Sequence, residues 1–180
     1  DAPHLSISEG ALTALTAMVV GVARPHAVVS VPREEATVVL AIDVSRSMKA
    51  EDVEPTRLEA AKQAAKAFVE KVPKEFRLGG VSFASRANSA LPPTEDRNLV
   101  YDSLDSLKPG EGTAIGDAIA LSAQLGREQL TEDGVRPPKA VLLISDGAPD
   151  GGTTPPRQAA QKAKELDVPI YTVLVGTEQG

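Results

Sequence analysis

The stretch that decides the fold is Thr37-Val-Val-Leu-Ala-Ile42, followed at once by Asp43-Val-Ser-Arg-Ser47. An uncharged run of this length, polar only at Thr37, is typical of a strand that is buried on both faces. The polar run that follows indicates the point where the chain leaves such a strand and reaches solvent. The stretch therefore predicts an inner strand of a parallel sheet, with a polar loop at its carboxyl end.

Strand and helix patterns alternate along the rest of the chain. Further strands are predicted over 78–84, 87–91, 140–144 and 168–175, and helices between Pro55 and Pro73 and over 98–107, 114–125 and 157–166. Pro92-Pro93 is expected to end the strand over 87–91. This alternation predicts an α/β fold, with an open, mostly parallel, Rossmann-like sheet covered by helices on both faces.

The composition of the chain excludes several functional classes. A length of 180 residues with 42% hydrophobic content fits one globular domain, and a net charge of -6 argues against nucleic-acid binding. The chain has no cysteine, which excludes disulfides, thiolate metal sites and cysteine nucleophiles. Its two histidines, His4 and His26, precede the predicted sheet. With no P-loop and no G-x-S-x-G motif, the sequence predicts a protein that is not an enzyme.

Residues 1–35 form an extension that differs from the domain predicted over 36–180. Its apolar run from Gly10 to Ala23 is too short to span a bilayer alone, since a spanning helix needs about 20 apolar residues. The run predicts a buried or amphipathic helix, and the alternative is the end of a membrane segment. Arg24-Pro25 is expected to end that helix.

Polar residues follow the predicted strands at positions where binding sites form in open α/β sheets. Individually, these residues are typical of turns and helix caps. Together they form an all-oxygen set of two carboxylates and three hydroxyls, namely Asp43, Ser45, Ser47, Thr113 and Asp146. Such a set suits Mg²⁺, with Mn²⁺ or Ca²⁺ as alternatives. Because two acids under-compensate a bound cation, a free coordination position favours an Asp or Glu carboxylate from a protein partner.

The spacing Asp43-x-Ser45-x-Ser47, with Thr113 and Asp146 downstream, resembles the metal-ion-dependent adhesion site of von Willebrand factor A domains. Three further segments are similar to that family: its Thr-x-x-Gly-x-Ala segment at 113–118, its strand ending in Asp-Gly at 142–147, and its second strand at 80–84. The resemblance covers residues 37–176. It implies that these five residues hold the cation, directly or through water, and that the domain binds a protein.

A narrower resemblance is to bacterial membrane-anchored A-domain proteins of the aerotolerance type. It rests on Ala23-Arg24-Pro25, Ser47-Met48, Asp52-Val-Glu-Pro55 and Arg57-Leu58. It implies that residues 5–23 match the membrane helix or its shortened remnant. It also implies a place in the bacterial cell envelope, on a side of the membrane that stays open, beside chaperone-like ATPases.

A complete A domain continues beyond the last predicted strand with a further strand and helix, so the sequence predicts a C-terminally truncated domain. We expect the N-terminal helix, or a second copy of the chain in a dimer, to cover the resulting edge. Three functional interpretations remain open. The favoured one is a cation-dependent adhesion or adaptor domain, and the others are a metal-stabilised scaffold and a metal-dependent hydrolase. Glu111 and Asp117 are the nearest candidate bases for a hydrolase, and Asp117 is interpreted as an exposed acid favoured by the helix dipole.

Overall fold

The structure is a computed structural model that describes residues 35–130, 134, 136–147 and 149–177. The predicted N-terminal extension, including its apolar helix, lies outside the described residues apart from Glu35. In the part of the chain that is described, no helix is both long and apolar enough to cross a membrane.

The described residues form one sheet with helices on its two faces. The strands are β1 (Thr37–Asp43), β2 (Arg77–Phe83), β3 (Ala87–Thr94), β4 (Lys139–Ser145) and β5 (Ile170–Leu174). The helices are α1 (Arg57–Lys71), α2 (Arg97–Asp105), α3 (Ile115–Arg127) and α4 (Pro156–Glu165), with a 3-10 turn over Arg46–Lys49. The strand order is β3-β2-β1-β4-β5. Of these five strands, only β3 runs antiparallel to its neighbour, which confirms the predicted mostly parallel α/β sheet.

Strand β1 is the centre of the sheet, and every residue in it is buried. Because side chains alternate along a strand, Leu40 and Ile42 face one side of the sheet and Val39 and Ala41 the other. Leu40 and Ile42 belong to a core with residues of α1 and α2, whereas Val39 and Ala41 belong to one with residues of α3 and α4. The uninterrupted apolar run therefore reflects a strand with a core on each face.

Helix α1 begins later than Pro55, where the sequence indicated its first turn. Thr56 is the N-cap, and its hydroxyl accepts a hydrogen bond from the Glu59 backbone N–H at 3.2 Å. Its inner face is formed by Leu58, Ala61, Ala65 and Val69, at spacings of three and four residues. This spacing turns one side of the helix toward the sheet and fixes the direction of the chain entering it.

The prediction that Pro92-Pro93 ends the third strand was wrong, because β3 continues to Thr94. Strand β3 lies at an edge of the sheet and pairs only with β2, with register shifts between Leu78 and Val81. Proline cannot donate a backbone hydrogen bond, but an edge strand needs donors on one side only. Strand β5 forms the other edge, and its Leu174 is 75% exposed.

Candidate metal centre

Asp43 is the last residue of β1 and has no solvent exposure. Its Oδ1 accepts a hydrogen bond from the Ser45 backbone N–H at 2.8 Å, and its Oδ2 accepts one from the Ser145 hydroxyl at 2.6 Å. Ser145 ends β4, so the parallel pairing of β1 and β4 brings these two residues together. Burial raises the pKa of Asp43, and the hydrogen bonds from Ser145 and Ser45 oppose that rise. The site thus holds a buried carboxylate whose charged form lacks a positive partner among these hydrogen bonds.

Ser45 and Ser47 place two hydroxyl oxygens side by side, with Oγ to Oγ at 2.9 Å. Ser45 is 2% exposed, whereas Ser47 is exposed, so the pair connects the buried carboxylate to solvent. Ser45 occupies the N-cap position of the 3-10 turn, yet its side chain makes no capping hydrogen bond. An octahedral Mg²⁺ with oxygens at about 2.0–2.1 Å places adjacent ligands about 2.8–3.0 Å apart. The two serine hydroxyls are hydrogen-bonded to each other at this same spacing, so both oxygens are already at the separation that adjacent ligands need.

Thr113 lies in the loop before α3 and is not the N-cap of that helix. The N-cap is Ala114, and the helix start has no side-chain cap. The backbone of Thr113 pairs with that of Asp150, and the next residue donates from its N–H to the Ala84 carbonyl at 2.6 Å. The Thr113 backbone is therefore held between the loop after β2 and the loop after β4, at the carboxyl edge of the sheet.

Asp146 directly follows β4, and its carboxylate is bound by a buried arginine. The Arg57 Nη1 donates to Asp146 Oδ2 at 2.9 Å. The same guanidinium binds Asp52 through Nε to Oδ1 at 2.7 Å and Nη2 to Oδ2 at 2.8 Å. Hydrogen bonding to Arg57 holds the pKa of Asp52 well below its usual range. Sequence reasoning noted Asp52 and Arg57 only as part of a resemblance, because nothing in their spacing indicates a partner 89 residues away.

Asp117 is not merely a first-turn acid. Its carboxylate accepts hydrogen bonds from the Thr153 N–H at 2.9 Å, the Thr153 hydroxyl at 2.9 Å and the Thr154 N–H at 2.8 Å. These hydrogen bonds, led by that from the Thr153 backbone, lower the pKa of Asp117 to about 2. Asp117 thereby ties the start of α3 to the loop after β4, the same loop that contributes Asp150.

The structure explains why the segment 113–118 has a glycine at position 116. A Cβ on Gly116 would lie 1.9 Å from the Thr154 carbonyl oxygen, so the helix and the loop come too close for any side chain. Ala118 is fully buried in the core beneath α3. The segment therefore combines a polar residue at the sheet edge, a close backbone approach and a core contact.

The structure joins three of the five predicted site residues, whereas the contacts of Thr113 are those of its backbone and the carboxylate of Asp146 is paired with Arg57. Asp43, Ser45 and Ser47 are joined by hydrogen bonds or short oxygen contacts, and Ser145 links Asp43 to the residue before Asp146. After burial, the charge of Asp146 makes a smaller contribution to the raised pKa of Asp43. Among the described residues no three His, Asp or Glu side chains are grouped to hold a metal. The predicted set contains only two carboxylates, and its hydroxyl and carboxylate oxygens fit a hard divalent cation.

The fold and this arrangement define the class of protein. The family model of the von Willebrand factor type A domain matches residues 38–148, and the chain belongs to that family.

Particular relatives are bacterial. A "UPF0353 protein" of Nocardia farcinica is 39% identical over 179 residues, which are 94% of this chain and 53% of that protein. The chain thus spans about half the length of the curated relatives it matches.

Two solved structures are similar to this chain. One is the conserved hypothetical protein BatB from Bacteroides thetaiotaomicron, with a TM-score of 0.69 and 33% sequence identity. The other is an aerotolerance-related membrane protein from Bacteroides fragilis, with a TM-score of 0.69 and 32% sequence identity. Each similarity covers 81% of this chain, and 69% and 70% of those chains respectively. The resemblance to aerotolerance-type A-domain proteins is therefore confirmed.

Proposed function

We propose that this domain binds one divalent cation, Mg²⁺ first, and that the bound cation takes an Asp or Glu carboxylate from a protein partner. Asp43, Ser45, Ser47, Thr113 and Asp146 would hold the cation, directly or through water. When bound, the cation supplies an electrophilic coordination position. The observation that carries the proposal is the pair of serine hydroxyls 2.9 Å apart beside a buried carboxylate.

Two features of the residues support cation binding rather than a purely structural loop. The Ser45 hydroxyl stands at a helix start without capping it, and Thr113 does not cap the helix that follows it. The Asp43 carboxylate is buried, and a bound cation would stabilise its charged form. Ser47 is exposed at the same place, so a partner side chain has access to the site.

The first experiment is calorimetric titration of the chelator-stripped chain with Mg²⁺, Mn²⁺ and Ca²⁺. One-to-one binding is expected for the wild type and is expected to disappear in Asp43→Ala. Asp102→Asn is the matched control, because Asp102 is an exposed carboxylate on α2 and is not one of the proposed cation ligands. Equal binding by Asp43→Ala and the wild type, or no binding by a folded wild type, would refute the proposal.

The partner chemistry is tested separately with a displayed peptide library. Peptides retained in Mg²⁺ and released by chelator are expected to share one acidic position. Replacing that residue by Asn or Gln should abolish retention, whereas replacing acids elsewhere in the same peptide should not. A cation that raises the melting temperature but retains no acidic peptide would favour the metal-stabilised scaffold. Both adhesion and docking onto a chaperone-like ATPase fit the proposal, because each places an acidic side chain on the cation.

We also propose that this protein works at the bacterial envelope. The support is the similarity to the Bacteroides fragilis protein, which is described as an aerotolerance-related membrane protein. Fractionation of the bacterial cells that produce the protein is expected to place it in the membrane fraction. Its complete recovery in the soluble fraction would contradict this placement.

A further inference from the structure

Arg57 lies beside the candidate site, and the proposed function leaves its role unexplained. Its side chain is 8% exposed, and its guanidinium lies between Asp52 and Asp146. A buried guanidinium is strongly destabilising unless carboxylates pair with it. All three nitrogens of the Arg57 guanidinium, Nε, Nη1 and Nη2, donate hydrogen bonds to carboxylate oxygens, at distances of 2.7–2.9 Å.

Asp52 is itself fixed from a second direction. Its Oδ2 accepts hydrogen bonds from the Thr177 backbone N–H at 3.1 Å and from the Thr177 hydroxyl at 3.2 Å. The backbone of Gly176 lies against the guanidinium, since a Cβ there would be 3.4 Å from the Arg57 Cζ. Arg57 is therefore held in place by contacts on several sides.

The charges of Arg57 and of the carboxylates around it indicate what Arg57 does at the site. Three carboxylates, those of Asp43, Asp52 and Asp146, and the single Arg57 guanidinium leave a net charge of −2. That charge matches one divalent cation. Without Arg57 the same residues would carry −3, and a cation of higher charge would gain most, because the interaction energy scales with the charge of the ion.

We propose that Arg57 is a specificity-determining residue of the cation site, whose positive charge lowers the preference of that site for trivalent over divalent cations. This inference rests on the proposed function and concerns the same site. Arg57 acts through Asp146 and does not touch the cation.

The test compares Ca²⁺ with Tb³⁺, a trivalent ion close to Ca²⁺ in size, by calorimetry and Tb³⁺ luminescence. Arg57→Gln is expected to strengthen Ca²⁺ binding about tenfold and Tb³⁺ binding about thirtyfold, because the lost repulsion scales with ion charge. The preference for Tb³⁺ over Ca²⁺ should then rise about threefold. Arg57→Lys keeps the charge and changes the hydrogen bonding, so its preference should equal that of the wild type.

Asp52→Asn provides a second variant with the opposite sign, in case Arg57→Gln does not fold. It leaves the Arg57 charge less compensated, so both cations should bind more weakly and the preference for Tb³⁺ should fall. Circular dichroism confirms folding of each variant.

Weaker binding in Arg57→Gln and Asp52→Asn alike, with an unchanged Tb³⁺ to Ca²⁺ preference, would show a packing role only and overturn the inference. That result would leave the proposed function intact. If the folded wild type binds neither ion, the proposed function fails, and this inference fails with it.

Discussion

Gly116 and Gly126 lie in the same helix, α3, and the same substitution should have opposite effects at the two positions. A Cβ at Gly116 would lie 1.9 Å from the Thr154 oxygen and 2.8 Å from its carbonyl carbon. At Gly126 the nearest neighbour would be the Cβ of Lys139 at 3.7 Å, an ordinary contact. Non-bonded heavy atoms prefer separations of about 3.5 Å, so Gly116→Ala requires the backbone of Thr154 to move by roughly 1.5 Å.

The expected magnitudes follow from that difference. Overpacking costs about 1–3 kcal/mol, and a clash with backbone belongs at the upper end of that range. Alanine in place of glycine in a helix contributes about 0.5–1 kcal/mol of stability. Gly116→Ala should therefore lower the free energy of unfolding by about 2 kcal/mol, whereas Gly126→Ala should raise it by up to about 1 kcal/mol.

Urea unfolding at pH 7, followed by circular dichroism, measures both effects. Gly116→Ala should also weaken Mg²⁺ binding, because the displaced loop contains Asp150, whose backbone pairs with that of Thr113. If Gly116→Ala were as stable as the wild type, or if Gly126→Ala were equally destabilising, the close approach of α3 to the loop after β4 would be refuted.

Three further predictions concern side chains around the site. Asp43→Asn should raise the metal-free free energy of unfolding at pH 7, because burial raises the pKa of Asp43 and its charged form is the costly one. That gain should shrink as the pH falls toward 3.8, the unfolded pKa of an aspartate. If urea unfolding showed that Asp43→Asn is no more stable than the wild type at pH 7, this prediction would be contradicted. Asp117→Asn should cost about 1 kcal/mol at pH 7, because a charged acceptor is lost. Since the folded pKa of Asp117 is lowered to about 2, its contribution is complete well above pH 3.8 and is lost as the pH falls through 2, so a pH-independent cost would rule this explanation out. Ser145→Ala should lower the free energy of unfolding by about 1–3 kcal/mol and weaken Mg²⁺ binding, because Asp43 Oδ2 loses its hydroxyl donor. If calorimetry showed the same Mg²⁺ affinity as in the wild type, Ser145 would have no role in the cation site.

The fold could be predicted from the sequence wherever the apolar pattern extended over a whole element. Strand β1 was correct to within one residue, because burial on both faces leaves an uninterrupted apolar run. Strand β3 was predicted too short, because the sequence of a proline pair does not indicate whether the strand that contains it lies at the edge of the sheet. That property depends on the order of strands in the sheet, which no local pattern contains.

The candidate site was predictable in its residue types but not in its connections. The spacing of Asp43, Ser45 and Ser47 indicated an oxygen site, and the structure places those residues together. The contact of Arg57 with Asp146 could not be predicted, because it joins α1 to the loop after β4 through tertiary packing. The role of Ser145 was missed for the same reason, since its partner Asp43 is reached only across the paired strands.

The hydrogen bond between Ser145 and Asp43 joins residues that are 102 positions apart in the chain. Contacts of such long range form late in folding, because closing a long loop costs entropy before the contact is made. A nascent chain therefore cannot build the predicted cation site until β4 has been synthesised and paired with β1. Cation binding should then be specific to the native state, so that the cation stabilises only chains that have completed folding.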